Sequence, residues 1–207
     1  MNQTQKLPLF PLGLVLFPDA SLSLRVFEAR YLDLMGDCMR NSAPFGVVCL
    51  REGHERREVG RSEAPLHVEN VGVFAHIAEV DAQQPGILLV QCQGGARFRL
   101  QEPATQRPNG LWEAVVSPIA PDPLRPPGPA MLQTVSTLAE AIQKLQQQDR
   151  APFSEPHRLD EAGWVANRWC ELLPVSIAAK QKLMELDDPV IRLSLVDGFL
   201  RDKKVVI

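Results

Sequence analysis

The chain is short of the patterns from which most enzymes and nucleic-acid binders are built. Its 22 Lys and Arg face 25 Asp and Glu, a formal net charge of −3, so the basic excess that follows a phosphate backbone is missing. Only 6% of its residues are aromatic and a single one is tyrosine, which leaves no stacking platform for single-stranded nucleic acid. Cys38, Cys49, Cys92 and Cys170 show no CxxC spacing, and His54, His67, His76 and His157 lack HxxxH or Cys/His spacing, so no metal site is expected. The thiols read as reduced core residues in a chain without a secretory signal. No GxxxxGK[ST] loop is present to cradle nucleotide phosphates, and no cofactor is expected. The apolar run over 7–17 is broken by Pro8 and Pro11 and is too short to span a bilayer. These absences describe a soluble, cytoplasmic protein with no membrane partner, and they disfavour nucleic acid.

What remains is an ordinary globular composition, 45% hydrophobic and 23% charged, with a clear change of character along the chain. Residues 7–17 predict a strand, and the prolines place it at a sheet edge or a barrel seam, because proline donates no ladder hydrogen bond. Leu22, Leu24 and Val26 alternate with Ser23 and Arg25, the period of a half-buried strand. From Phe27 the period lengthens. Phe27, Tyr31, Leu34 and Cys38 make one face of a helix, with Glu28 in its first turn at the positive end of the dipole. Residues 45–50 predict a buried strand, 51–66 a charged loop or exposed hairpin, and 68–80 more β-structure, with Gly72 at a bulge or close approach. Residues 87–93 and 96–101 flank Gly94-Gly95, which predicts a two-residue hairpin turn. Arg97 and Arg99 then share one face of the second arm, and Phe98 points the other way, into the core. A turn at 108–110 precedes a strand over 111–119.

Six prolines in the twelve residues 118–129 mark a stiff connector. Helical periods follow over 132–145, 160–173, 176–186 and 189–201, with Ser176 and Asp188-Pro189 as start signals. The chain is therefore α+β: a β-rich part over 1–119, a proline-rich connector over 120–130, and helices over 131–207.

Several motifs stand in an order that carries more weight than any one of them. They are Leu7-Pro8-Leu9-Phe10-Pro11-Leu12, Phe17-Pro18, Val26-Phe27-Glu28-Ala29-Arg30-Tyr31, Phe45-Gly46, Val71-Gly72-Val73, Gly94-Gly95-Ala96-Arg97-Phe98 and Lys180-Gln181-Lys182-Leu183-Met184-Glu185. In that order, over nearly the whole chain, they resemble the amino-terminal (LON) domain of the Lon protease family, and most closely its small stand-alone bacterial forms. The resemblance implies a PUA-like small β-barrel with one internal helix, followed by a C-terminal helical bundle, together one LON domain. It also implies recognition of protein or unfolded peptide segments. Full-length Lon adds an ATPase module and a Ser-Lys peptidase that have no counterpart in this sequence, so catalysis does not carry over. RNA binding is the alternative, by analogy with other PUA-like folds, and the acidic balance counts against it. Oligomeric state and partner identity are not encoded in any motif.

Ser176 and Lys180, four apart on a helix, could in principle pair a hydroxyl with an activating amine, but a capping serine and a surface lysine account for them. Asp33 with Asp37, and Asp187 with Asp188, read as an acidic helix face and a helix start. The candidate protein-binding residues are Glu28, Arg30, Tyr31 and Arg97. A carboxylate, a guanidinium and a phenol at a helix start can grip a peptide. The same groups admit an architectural reading, in which Glu28 satisfies helix-start N–H groups, Arg30 pairs with a neighbouring strand and Tyr31 is core. Arg97 is either solvated or buried against a carboxylate such as Glu28.

Overall fold

The computed structural model describes residues 4–51, 66–148 and 153–206, so the charged stretch over 51–66 lies almost wholly outside the described residues. The chain divides into two compact units, Met1–Ala120 and Pro121–Ile207.

The first unit runs β1 (Gln5–Leu12), β2 (Ser21–Val26), α1 (Ala29–Asn41), β3 (Phe45–Cys49), β4 (Val71–Gln84), β5 (Ile87–Leu100), β6 (Thr105–Gln106) and β7 (Trp112–Pro118). The strands form one mixed sheet in the order β2-β5-β4-β3-β1-β7-β6. Because β5 also pairs with β7, hydrogen bonding passes from β5 through β4, β3, β1 and β7 and returns to β5.

Three sequence expectations need correction here. Of the two places expected for the proline strand, the sheet edge is the one that fails: β1 pairs antiparallel with β7 over Gln5–Leu9 and parallel with β3 over Leu9–Leu12. Leu9 is the one residue in register with both neighbours. Pro8 stands opposite Glu113 of β7 alone and Pro11 opposite Val48 of β3 alone, so each proline occupies a one-sided position within a two-sided strand. Gly94-Gly95 is not a turn but lies inside the continuous strand β5. Between the pairs Val73–Arg97 and Ala75–Gly94, β5 has one more residue than β4, which is a bulge. A Cβ on Gly94 would sit 2.3 Å from the Phe17 carbonyl oxygen, and the strand there exchanges hydrogen bonds with the 17–20 turn (Gly94 N–H to Ala20 O and Asp19 N–H to Gly94 O, both 2.8 Å). The hairpin turn is Pro85-Gly86, where proline presets φ and Gly86 takes φ of +76°. Third, Phe27 is not on the buried face of α1; it precedes the helix and is 64% exposed.

The buried face of α1 is Tyr31, Leu34, Met35 and Cys38, and the helix stops at Ser42, which takes a left-handed φ of 49°. Inside the ring of strands, Leu7, Leu9, Val48, Phe74, Phe98, Trp112 and Val116 make one apolar cluster. Phe98 is its centre. Its ring packs 4.9 Å from Phe74 and against Gly46 and Gly72, where an added Cβ would come within 2.8 and 2.5 Å of the Phe98 ring tip. The two glycines are required by this close approach. Arg99 is exposed as expected, whereas Arg97 is only 4% exposed: the face that bears both is covered at one and open at the other.

The second unit holds α2 (Leu132–Gln146), α3 (Ala162–Leu172), α4 (Ile177–Glu185) and α5 (Pro189–Asp202). Helix α3 packs against the other three, and every residue from Ala162 to Cys170 is buried. The expected caps are in place: Ser176 Oγ accepts from Ala179 N–H at 3.1 Å, and Asp188 Oδ1 accepts from Val190 N–H at 2.8 Å. Periodicity gave no hint of the polar centre. Arg192 of α5 is 1% exposed, and its five N–H donors all find acceptors. Nε donates to Leu183 O (2.9 Å), Nη1 to Asp122 Oδ2 (2.5 Å) and Asn167 Oδ1 (3.1 Å), and Nη2 to Asp122 Oδ1 (3.3 Å) and Leu186 O. A Cβ on Gly163 would lie 2.7 Å from Asp122 Oδ2, so α3 carries a glycine where the carboxylate passes. Asp122 and Arg125, whose carbonyl accepts from Ala162 N–H at 2.8 Å, tie the proline segment to α5 and α3.

Candidate protein-binding site

The chain leaves β2 at Val26 and enters α1 at Ala29, which gathers Phe27, Glu28, Arg30 and Tyr31 within one turn. Glu28 is the N-cap, but its side chain caps nothing; its carbonyl accepts the first helical bonds, from Tyr31 and Leu32 N–H, both at 2.9 Å. The carboxylate is held by Arg30, with Nε donating at 2.9 Å and Nη2 at 2.6 Å. Arg30 also donates from Nη1 to Gly110 O at 2.9 Å, so it clasps the start of α1 to the turn before β7. Gly110 takes φ of +82° in that turn and its carbonyl also accepts from Gln106 Nε2. The guanidinium lies 4.7 Å from the centre of the Tyr31 ring, and Phe10 stacks on that ring at 4.1 Å. Tyr31 is thus a buried aromatic between a cation and a strand.

Glu28, Arg30 and Tyr31 are therefore brought together, with Arg30 and Tyr31 committed to internal contacts. Arg97 is on β5 with its carbonyl bonded to Ile119 N–H at 2.8 Å, and Glu28 is engaged by Arg30. What this helix start presents to solvent is the Phe27 ring and the Glu28 carboxylate, which is 46% exposed. On the open face of β2, β5 and β4, Arg25, Gln84, Ile87 and Leu89 line a recess of about 260 Å³. Sequence reasoning missed it, although one signal was available. A strand apolar on both faces, as β5 is at 87–90, needs cover on both, and Leu89 is still 37% exposed.

Ser176 and Lys180 are each engaged with other groups: Ser176 Oγ is used in its cap and Lys180 Nζ donates to Glu171 O at 3.1 Å. All four cysteines are free and buried. Burial pushes the thiols of Cys38 and Cys92 up to about 11, aided by Asp37 at the first and Cys38 at the second. Burial takes Cys170 to about 12 against the opposing pull of Arg192. Thiols so raised are poor nucleophiles. Among the described residues no group of three or more His, Cys, Asp or Glu could hold a metal ion, and no helix is long and apolar enough to cross a membrane.

A mixed sheet carrying one helix, followed by four more, is the fold of Lon N-terminal domains. A Lon N-terminal domain protein from Xanthomonas campestris superposes with a TM-score of 0.73 at 33% identity, over 93% of this chain and 96% of that one. The N-terminal domain of the Mycobacterium avium complex Lon protease superposes with a TM-score of 0.62 over 96% of this chain and 99% of that one; at 15% identity this is likeness of fold. Residues 6–202 match the ATP-dependent protease La (LON) substrate-binding domain, and the chain belongs to that family. A LON peptidase N-terminal domain and RING finger protein of Schizosaccharomyces pombe is 26% identical over 94% of this chain and 45% of its own length, so the chain spans less than half of that curated relative.

Proposed function

We propose that this protein is a non-catalytic recognition module that binds exposed segments of other proteins, in the cytoplasm. The observation that carries this reading is the match of residues 6–202, spanning both units, to a domain defined by substrate binding rather than by the catalytic parts of Lon. In this reading the strand ring acts as a small PUA-like β-barrel, the four later helices as a bundle, and the two units work together as one LON domain. Arg30, Tyr31 and Arg97 are positioning residues, while Phe27 and the Glu28 carboxylate are the contact groups of the helix start.

The test is binding of a permanently unfolded protein, reduced and carboxymethylated α-lactalbumin, compared with the same protein native, by fluorescence anisotropy. The expected result is saturable binding of the unfolded form only, with Kd in the range of about 1 μM to 1 mM. Equal affinity for both forms, or none for either, would overturn the reading.

A further inference from the structure

The open face of β2, β5 and β4 has a composition that points to one kind of occupant. The odd-numbered residues of β2, Ser21, Ser23 and Arg25, face solvent opposite Gln93, Gln91 and Leu89 of β5, while Leu22, Leu24 and Val26 are buried. The Arg25 side chain has no hydrogen-bond or ion-pair partner among the described residues, unlike those of Arg30, Arg107 and Arg192. It lines the recess with Ile87, Leu89 and Gln84. At about 260 Å³ the recess is below the usual range for small-molecule sites, roughly 300–1,000 Å³, and suits a single side chain. Two residues beyond Arg25 stands the exposed Phe27 ring. In the sheet β2 pairs with β5 alone among the described strands, so over 22–26 its other edge has no strand partner and can take one.

We propose that β2 receives an extended peptide as an added strand, with one carboxylate of the peptide against Arg25 and an apolar side chain two positions away in the recess or on Phe27. The spacing of two follows from strand geometry, because only alternate side chains of the added strand share this face. Asp81 stands on the far side of Leu89 from Arg25, two strands in, so the cation nearest the added strand on this face is Arg25 and the acid belongs at the peptide position facing it. The ligand class is thus a strand-forming apolar segment with an Asp or Glu opposite Arg25. This rests on the proposed recognition of protein segments and names where and by what chemistry it occurs. An edge charge that merely discouraged self-association would be served as well by either sign. Selection by the sign of the peptide charge separates that role from recognition.

The probe is a short fluorescein-labelled threonine peptide with a glutamate and a leucine two positions apart, beside versions with lysine for glutamate or with alternate backbone N-methylation. The expected result is binding of the glutamate peptide, about three- to tenfold loss with lysine, the size of one reversed exposed charge pair, and abolition by N-methylation. Arg25→Glu should invert the preference, and Leu89→Ser should weaken both peptides; thermal unfolding checks that each variant folds like the parent. If unfolded α-lactalbumin binds but the charge preference is absent, or survives Arg25→Glu, the placement on β2 is overturned and the broader reading stands. If neither unfolded protein nor peptide binds, both fall.

Discussion

Removing the Arg192 side chain should damage the second unit more than its single-residue size implies. Arg192→Ala removes the two-pronged partner of the Asp122 carboxylate and the donors to the Asn167 amide oxygen and to the carbonyls of Leu183 and Leu186 at the end of α4. Breaking a buried, hydrogen-bonded ion pair from one side costs about 3–5 kcal/mol. The Asp122 side chain is 19% exposed and partly rehydrates, so the expected loss is near the lower end, about 3 kcal/mol. Arg192→Lys keeps the charge but not the fork, and two-sided engagement of Asp122 with both carbonyls is beyond an ammonium, so it should recover less than half. Gly163→Ala attacks the same pair from α3, since its Cβ would meet Asp122 Oδ2 at 2.7 Å. Urea unfolding followed by tryptophan fluorescence reads the effect, because Trp164 and Trp169 lie on α3 with Asn167. Gly163→Ala and Asp122→Ala should be strongly non-additive, as they act on one contact. An Arg192→Ala variant within about 1 kcal/mol of the parent, or additive Gly163 and Asp122 changes, would refute the reasoning.

Phe98→Ala should cost about 3–5 kcal/mol by urea unfolding, because the ring fills the space between Gly46, Gly72 and Phe74, and Arg99→Ala should cost under about 1 kcal/mol. Gly72→Ala should be severely destabilising by the same measurement, since its Cβ would meet the Val47 carbonyl oxygen at 2.5 Å, and backbone there has nowhere to move. Burial opposes the charge of Asp197, but hydrogen bonds from Arg201 and Thr134 outweigh it and hold the carboxyl below the usual aspartate range. A carboxyl lowered on folding stabilises above its unfolded value, near pH 4, and loses that contribution as pH falls through the folded value; Asp197→Asn should therefore flatten the acid limb of a stability–pH curve. Finally, the four thiols should react with a maleimide at pH 7 slowly when folded and fully in denaturant; rapid labelling of the native protein would contradict their burial.

Local chemistry was the part of this molecule most open to reading from sequence. Ser176 and Asp188 cap helices because the groups they satisfy are three or fewer residues away, and the alternation of β2 survives because one of its faces is buried. The errors arose where a local rule met a distant partner. Two glycines together fit a hairpin turn and a bulge equally well, and only the approach of the Phe17 carbonyl decides between them. Pro8 and Pro11 argue for an edge unless the strand changes partners between them, as β1 does at Leu9. Charged residues are expected outside, so Arg168 and Arg192, both under 5% exposed, were invisible to hydrophobic periodicity, and for Arg97, at 4%, periodicity could not choose between the solvated and the buried reading. At the candidate site the clustering of Glu28, Arg30 and Tyr31 was legible from adjacency. The clasp from Arg30 to Gly110 was not, because 80 residues separate its ends.

The two-sided pairing of β1 bears on how the chain comes off a ribosome. Its first strand finds its β7 partner, Gln5 against Val116, only after 111 further residues have been made. At roughly 5–20 residues per second this is a wait of roughly 5–20 s, during which one border of β1 offers unused N–H and C=O groups to any passing strand. Nascent chains halted short of residue 112 would retain that border indefinitely, and with it the border of β5 that β7 covers. Such fragments should be sticky in a way the finished protein is not, and the apolar face of the unfinished ring makes them natural clients for a chaperone at the exit tunnel.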